Sequence, residues 1–154
     1  MRRAVTIRTI GRLAACAAAL LLFAPRAEAA NCTISTTSTA FGTYNVFAEG
    51  PTDSTGTIVI RCVGGKDIAL SINRGSSNTF ERRMVNGTEE LRYNLFLDAA
   101  RTVVWGDGTS GTQVRVEDPP NNTEVPLTIY GRIPGGQDVA SGAYVDTVTV
   151  TINY

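Results

Sequence analysis

The chain has 154 residues, equal numbers of basic and acidic side chains, and no histidine. The missing histidine excludes Ser-His-Asp and Cys-His catalysis and most catalytic zinc sites. The length suits one domain with one hydrophobic core.

The N-terminal residues have the pattern of a secretory signal peptide. An arginine-rich stretch, residues 2–12, precedes an apolar run, residues 13–23, that is too short to span a membrane. Ala27-Glu28-Ala29 is an A-x-A cleavage site, so residues 1–29 are predicted to be removed. Two alternatives remain: lipoprotein processing at Cys16, which the apolar run follows instead of preceding, and twin-arginine export through Arg2-Arg3, whose following residues fit poorly.

Removal of this segment changes the charge and the cysteine count. Residues 30–154 carry 9 basic and 13 acidic side chains, a net charge near −4, which argues against nucleic acid or an anionic membrane as a partner. Cys32 and Cys62 remain, and an even pair in an exported protein predicts a disulfide. The alternative is a metal-binding or catalytic thiol pair, for which the chain has no histidine partner.

Strand-like runs separated by turn signals follow along the mature chain, and we find no convincing amphipathic helix. The predicted strands begin or lie at residues 32–35, 41–46, 57–62, 67–73, 80–85, 91–98, 102–105, 125–133 and 143–154. Gly64-Gly65 is predicted to join the third and fourth of these in a hairpin. About seven to nine short strands in one domain predict an all-β, immunoglobulin-like sandwich.

The last predicted strand alternates apolar and polar side chains with period two, as a half-buried strand does. One face carries mostly threonine and asparagine. The other face carries Tyr144, Val148, Val150, Ile152 and Tyr154. A C-terminal strand with no strand after it can leave a sheet edge free, and a free edge can recruit another chain.

Residues that could support an enzyme or a ligand site are few. A carboxylate pair for glycoside hydrolysis would come from Asp98, Asp107, Glu117 or Asp118, but acidic residues at strand ends and in loops are usually solvated. The loop Trp105–Thr109 could hold calcium or a sugar, yet it lacks calcium-loop spacing and a tight turn is favoured. We therefore predict no catalytic residues, no metal, no cofactor and no small-molecule substrate.

Four groups of residues, in order, carry a family resemblance. They are Asn31–Ile34 with Phe41–Tyr44; Ile60–Cys62; Leu91–Asp98 with Trp105–Thr109; and Leu127–Pro134 with Gly142–Ile152. Together they resemble the spore coat protein U domain family, the type also found in Csu-like, archaic chaperone–usher pilins. The resemblance covers essentially all of the mature chain.

The resemblance implies an incomplete immunoglobulin-like sandwich that lacks its final strand. In such pilins a periplasmic chaperone first supplies the strand, and the N-terminal extension of a neighbouring pilin subunit replaces it at the outer-membrane usher. The groove edge that contacts the donor strand would then be lined by Tyr144, Val148, Val150, Ile152 and Tyr154. Cys32 and Cys62 would tie the first strand to the second.

The predicted mature N-terminus departs from the family pattern. Two residues precede Cys32 after the predicted cleavage, and they span about 7 Å at most, too little to cross a neighbour's groove. The chain is therefore expected to accept a strand without donating one, as suits a fibre end or a coat protein. The alternative function is an adhesin-like tip module that contacts a surface or glycan through Gly106–Thr112 or the turn at Pro119-Pro120.

Overall fold

A computed structural model describes residues 31–64 and 67–154, so the predicted signal peptide, residues 1–29, lies outside the described residues. The described strands are β1 (Asn31–Thr36), β2 (Thr52–Val63), β3 (Ile68–Ile72), β4 (Arg82–Asn86), β5 (Glu89–Phe96), β6 (Arg115–Glu117), β7 (Glu124–Ile133) and β8 (Val150–Asn153). Within these ranges, no helix is long and apolar enough to cross a membrane.

The strands form two antiparallel sheets. The five-stranded sheet has the order β1-β2-β7-β5-β4, and the three-stranded sheet has the order β6-β3-β8. The predicted all-β sandwich is confirmed. β1 and β8 are edge strands, each paired on one side with β2 and β3 respectively.

The core lies between the sheets and is built by alternation along the strands. Every second residue of β2, β3 and β7 points inward, because successive side chains of a strand point to opposite faces. The buried inward residues of these strands include Ile58, Ile60, Cys62, Ile68, Leu70, Ile72, Leu127, Ile129 and Ile133. Trp105 fills the space beside them, and its indole Nε1 donates to the backbone carbonyl of Leu70 across 3.0 Å.

The predicted hairpin at Gly64-Gly65 is wrong. β2 pairs with β1 and β7, whereas β3 pairs with β6 and β8 in the other sheet. The chain therefore passes from one sheet to the other between β2 and β3. Ile60 on β2 and Leu70 on β3 are both fully buried, because each points into the core from its own sheet. Two strands in one hairpin would leave the second sheet without its central strand.

Three further strand predictions require correction. Residues 41–46 form no strand, and residues 102–105 contribute only isolated bridges at Val104 and Trp105. The last strand is shorter than predicted, since its ladder covers Val150–Asn153 and an isolated bridge joins Val145 to Val85. In contrast, β6 was missed because three residues carry too little alternation to be recognised.

The predicted disulfide between Cys32 and Cys62 is formed. The two residues are direct partners in the β1–β2 register, and their Cα atoms lie 4.1 Å apart. Cys62 is buried in the core, so the bond fastens the edge strand β1 to the interior of the five-stranded sheet.

Candidate functional site

A long groove runs along one side of the sandwich between two segments that lie mostly outside the sheet ladders. It consists of two cavities of about 900 and 400 Å³. Both cavities are lined by Thr39, Ala40, Phe41, Met84 and Tyr144, so they form one continuous depression. We call residues 37–46 the N-terminal wall, residues 139–150 the C-terminal wall, and the inward side chains between them the floor.

The floor is built from strands of the five-stranded sheet. Its side chains are Met84 on β4, Leu91, Tyr93 and Leu95 on β5, and Ile129 and Ile133 on β7. All six are buried or nearly so, with relative exposures of 9% or less. They are mostly apolar, so any further burial of their surface by a ligand that fills the groove is favourable.

The N-terminal wall packs on the five-stranded sheet through two glycines. A Cβ at Gly56 would lie 2.5 Å from the Thr39 hydroxyl oxygen, and a Cβ at Gly131 would lie 2.7 Å from the Phe41 ring. Glycine at both positions therefore lets the wall approach the sheet closely. The Phe41 ring also meets Tyr93 edge to face, with centroids 5.8 Å apart.

The backbone of this wall has few partners. Thr37 donates its amide to the carbonyl of Thr57 across 2.8 Å, and Ser54 donates its hydroxyl to the carbonyl of Ala40. Residues 38–44 make no backbone–backbone hydrogen bond with any described part of the chain. The wall thus presents a backbone in which most donors and acceptors lack a backbone partner.

The C-terminal wall is bonded on the side away from the groove. Val145 exchanges two backbone hydrogen bonds with Val85, of 2.8 and 3.1 Å, and the carbonyl of Thr149 accepts from Asn73 across 3.1 Å. These bonds use odd-numbered residues. Because antiparallel ladders alternate, the amides and carbonyls of the even-numbered residues point the other way. Among the described residues, the backbone of Val148 has no backbone partner.

The predicted groove residues occupy different positions. Tyr144 lines both cavities, and Val148 and Val150 line the smaller one. Ile152 is half-buried against the core beyond the cavities, and Tyr154 is 65% exposed outside them. The structure thus brings the first three together and leaves the last two at the margin.

Sequence reasoning missed two parts of the groove. The floor residues were assigned only to the core, because the local sequence pattern does not show which core residues line a groove. Asp146 was also missed, although it has the same parity as Tyr144 and Val148 and lines the smaller cavity with them. Strict counting by two along the last strand would have placed it on the inward face.

The candidate carboxylates do not converge. Asp98 accepts hydrogen bonds from the amides of Thr102 and Val103, which hold the pKa of Asp98 below its ordinary value of 3.8, the Val103 amide most strongly. Asp107 accepts from the hydroxyl and amide of Thr109 within the turn. Glu117 pairs with Arg115 across 2.6 Å. Asp98, Asp107 and Glu117 thus each have a local partner, and in residues 31–64 and 67–154 no cluster of metal-ligating side chains is found.

Comparison with known proteins gives one family and a shared fold. A family model described as the Spore Coat Protein U domain matches residues 18–151. Among curated proteins, Protein U of Myxococcus xanthus is 43% identical over 75 residues, which are 47% of this chain and 40% of that protein. This chain therefore matches less than half the length of that relative.

Two of the solved structures that are similar to this chain contain pilus subunits. One is the CsuC-CsuE chaperone-tip adhesion subunit pre-assembly complex from archaic chaperone-usher Csu pili of Acinetobacter baumannii, with a TM-score of 0.59, 24% identity, and coverage of 82% of this chain and 40% of that one. The other is the P pilus rod subunit PapA, with a TM-score of 0.53, 18% identity, and coverage of 80% and 98%. The immunoglobulin-like pilin fold is thereby confirmed.

Proposed function

The chain belongs to the Spore Coat Protein U domain family, and from this premise we propose that it is an exported structural subunit whose groove accepts a β-strand from another chain. The subunit would form part of a chaperone–usher surface fibre or a coat. One observation carries the proposal. Two walls with unpaired backbone flank an apolar floor, which is the arrangement that strand addition uses: main-chain hydrogen bonds for affinity and alternate side chains for specificity.

The dimensions of the groove suit a single strand. The stretch from Tyr144 to Ile152 has nine residues, which span about 30 Å in extended conformation. A strand of similar length could pair with the even-numbered amides of this wall on one side and with the N-terminal wall on the other. Every second side chain of the added strand would point at the floor.

Burial provides the driving force. Tyr144, Val148 and Val150 are only half-buried, although they face the floor. An added strand would cover them and insert about four apolar side chains of its own, each contributing roughly 1.5–3 kcal/mol when fully buried. This gain is comparable with the whole stability of a small domain, ~5–15 kcal/mol.

The partners follow from this role. A periplasmic pilus chaperone would occupy the groove during export, and a neighbouring pilin subunit would replace the chaperone at an outer-membrane usher. The final location would be a fibre or coat at the cell surface. A contact in which one subunit's strand enters the next subunit's groove is head-to-tail and does not close on itself, so it would build linear assemblies.

A fusion that supplies the strand tests the proposal. We would extend the chain after Tyr154 by an Asn-Gly turn and nine residues in which valine and threonine alternate, so that the added strand can fold back along β8. The matched control has the same composition with its valines grouped and its threonines grouped. We expect the alternating fusion to raise the free energy of unfolding by several kcal/mol over the control, measured by urea denaturation. Equal stability of the two fusions would contradict the proposal.

A further inference from the structure

We propose that Asp146 is a positioning residue that fixes the distance between the C-terminal wall and the floor, so that the groove keeps the width that an incoming strand requires. This proposal rests on the strand-accepting function proposed above. Asp146 lies in the inward register between Tyr144 and Val148, where the alternating pattern otherwise places apolar side chains. A carboxylate at this position requires partners, and the structure provides them from both sheets.

The carboxylate of Asp146 joins three separate parts of the fold. Its Oδ2 accepts a hydrogen bond from the hydroxyl of Tyr93 on β5 across 2.7 Å. Its Oδ1 accepts from the hydroxyl and the amide of Ser76, in the turn after β3, at 2.7 and 2.9 Å. Tyr93 belongs to the five-stranded sheet and the Ser76 turn follows the three-stranded sheet, so Asp146 fixes the wall relative to both.

These bonds lie where the backbone ladder is interrupted. The wall is bonded to β4 at Val145 and to Asn73 at Thr149. Between these points, within the described ranges, residues 146–148 make no backbone–backbone hydrogen bond. Among the described residues, no backbone hydrogen bond therefore sets the distance of this segment from the floor. The side-chain bonds of Asp146 replace the missing ladder and set the distance between wall and floor.

The surroundings of Asp146 are shaped for this carboxylate. A Cβ at Gly75 would overlap the Asp146 side chain, and Gly75 has a φ of +62°, a conformation that favours glycine. Burial, and after it the hydrogen bond to Asp146, raises the pKa of Tyr93 far above its ordinary value, so the phenol remains a proton donor at physiological pH. The tyrosine hydroxyl is therefore the donor in its hydrogen bond with Asp146.

Peptide binding in trans tests the proposal on the full mature chain. The probe is a fluorescein-labelled nine-residue peptide of alternating valine and threonine, titrated by fluorescence anisotropy. We expect Asp146→Ala to weaken peptide affinity about tenfold or more and Tyr93→Phe, which removes one hydrogen bond, by about threefold to tenfold. Asp146→Asn keeps an acceptor for Ser76 and is expected to restore part of the affinity.

Asp98→Ala is the matched control. Asp98 also accepts several hydrogen bonds through its carboxylate, but it lines neither cavity. We expect this variant to lose thermal stability while binding the peptide as the wild type does. Unchanged peptide affinity in both Asp146→Ala and Tyr93→Phe, with only a lower melting temperature, would overturn the positioning role. If Asp146→Ala fails to fold, Tyr93→Phe decides alone.

Failure of the two proposals can be told apart. A wild-type protein that does not bind the alternating peptide, and is not stabilised by the fused strand, would overturn the strand-accepting function and with it the role of Asp146. A wild-type protein that binds, together with an Asp146→Ala variant that binds equally well, would overturn the role of Asp146 alone.

Discussion

The guanidinium of Arg82 donates a hydrogen bond to the backbone carbonyl of Trp105 across 2.7 Å, and both side chains are fully buried. Arg82 also donates to the carbonyls of Ile72 and Asn73 and to the side-chain oxygen of Asn94. No carboxylate contacts it within the described residues. Burial lowers the pKa of Arg82 to about 10, so the side chain remains charged at neutral pH. Arg82 thus ties β4 of one sheet to the end of β3 in the other.

Replacing Arg82 by methionine should therefore be severely destabilising. The substitution gives a side chain that cannot donate and leaves the buried carbonyls of Ile72 and Trp105 without this donor, and we expect a loss of about 3–5 kcal/mol in the free energy of unfolding. Arg83→Met is the matched control, because Arg83 is the next residue and forms a partly exposed ion pair with Glu90. Its loss should be about 1 kcal/mol or less. Urea denaturation of both variants measures the difference, and similar losses would contradict this account of Arg82.

The disulfide should stabilise the fold mainly by restricting the unfolded chain. Cys32 and Cys62 are 30 residues apart in sequence, and a loop of this size predicts a contribution of about 3–4 kcal/mol. The double variant Cys32→Ser/Cys62→Ser removes the bond without leaving a free thiol. We expect the free energy of unfolding measured in urea to fall by this amount, and we expect hydrogen exchange to rise first in β1, the edge strand that the bond fastens. A variant as stable as the wild type would refute the prediction.

Gly131 should be intolerant of a side chain because the N-terminal wall rests on it. A Cβ there would lie 2.7 Å from the Phe41 ring and 2.8 Å from the methyl of Thr39. We expect Gly131→Ala to cost about 1–3 kcal/mol and to displace Phe41 from its edge-to-face contact with Tyr93. Gly50→Ala is the control, since nothing lies within 4 Å of a Cβ at that position. Thermal denaturation and the near-UV circular dichroism of the aromatic residues measure both effects.

Acid should destabilise the protein partly through Asp98. The Val103 amide, and then the hydroxyl and amide of Thr102, hold the pKa of Asp98 below its ordinary value of 3.8. The unfolded state therefore binds this proton at a higher pH than the folded state does. The stabilisation is present above about pH 4 and is lost as pH falls through the folded pKa. Asp98→Asn should show a smaller loss of stability between pH 5 and pH 2 than the wild type; parallel pH profiles would disprove the role of this carboxylate.

The period-two patterns determined much of the fold without any tertiary information. Alternation in the C-terminal segment predicted which of its side chains point inward, because only the inward face of a half-buried strand has to be apolar. The inward position of Tyr144 follows directly from this rule. The disulfide followed from the pairing of two cysteines in an exported chain, which requires no geometry.

Only the tertiary structure decided which strands share a sheet and where the sandwich lies open. The crossing after β2 could not be read locally, since a glycine pair suits a hairpin and a crossover equally. The wall around Phe41 resembles a strand in sequence but pairs with no neighbouring strand, because an apolar–polar pattern reflects burial and not hydrogen bonding. The partners of Asp146 come from Ser76 and Tyr93, which are 70 and 53 residues away. A polar residue in an apolar register is therefore explained by contacts that the fold creates, and local sequence does not contain them.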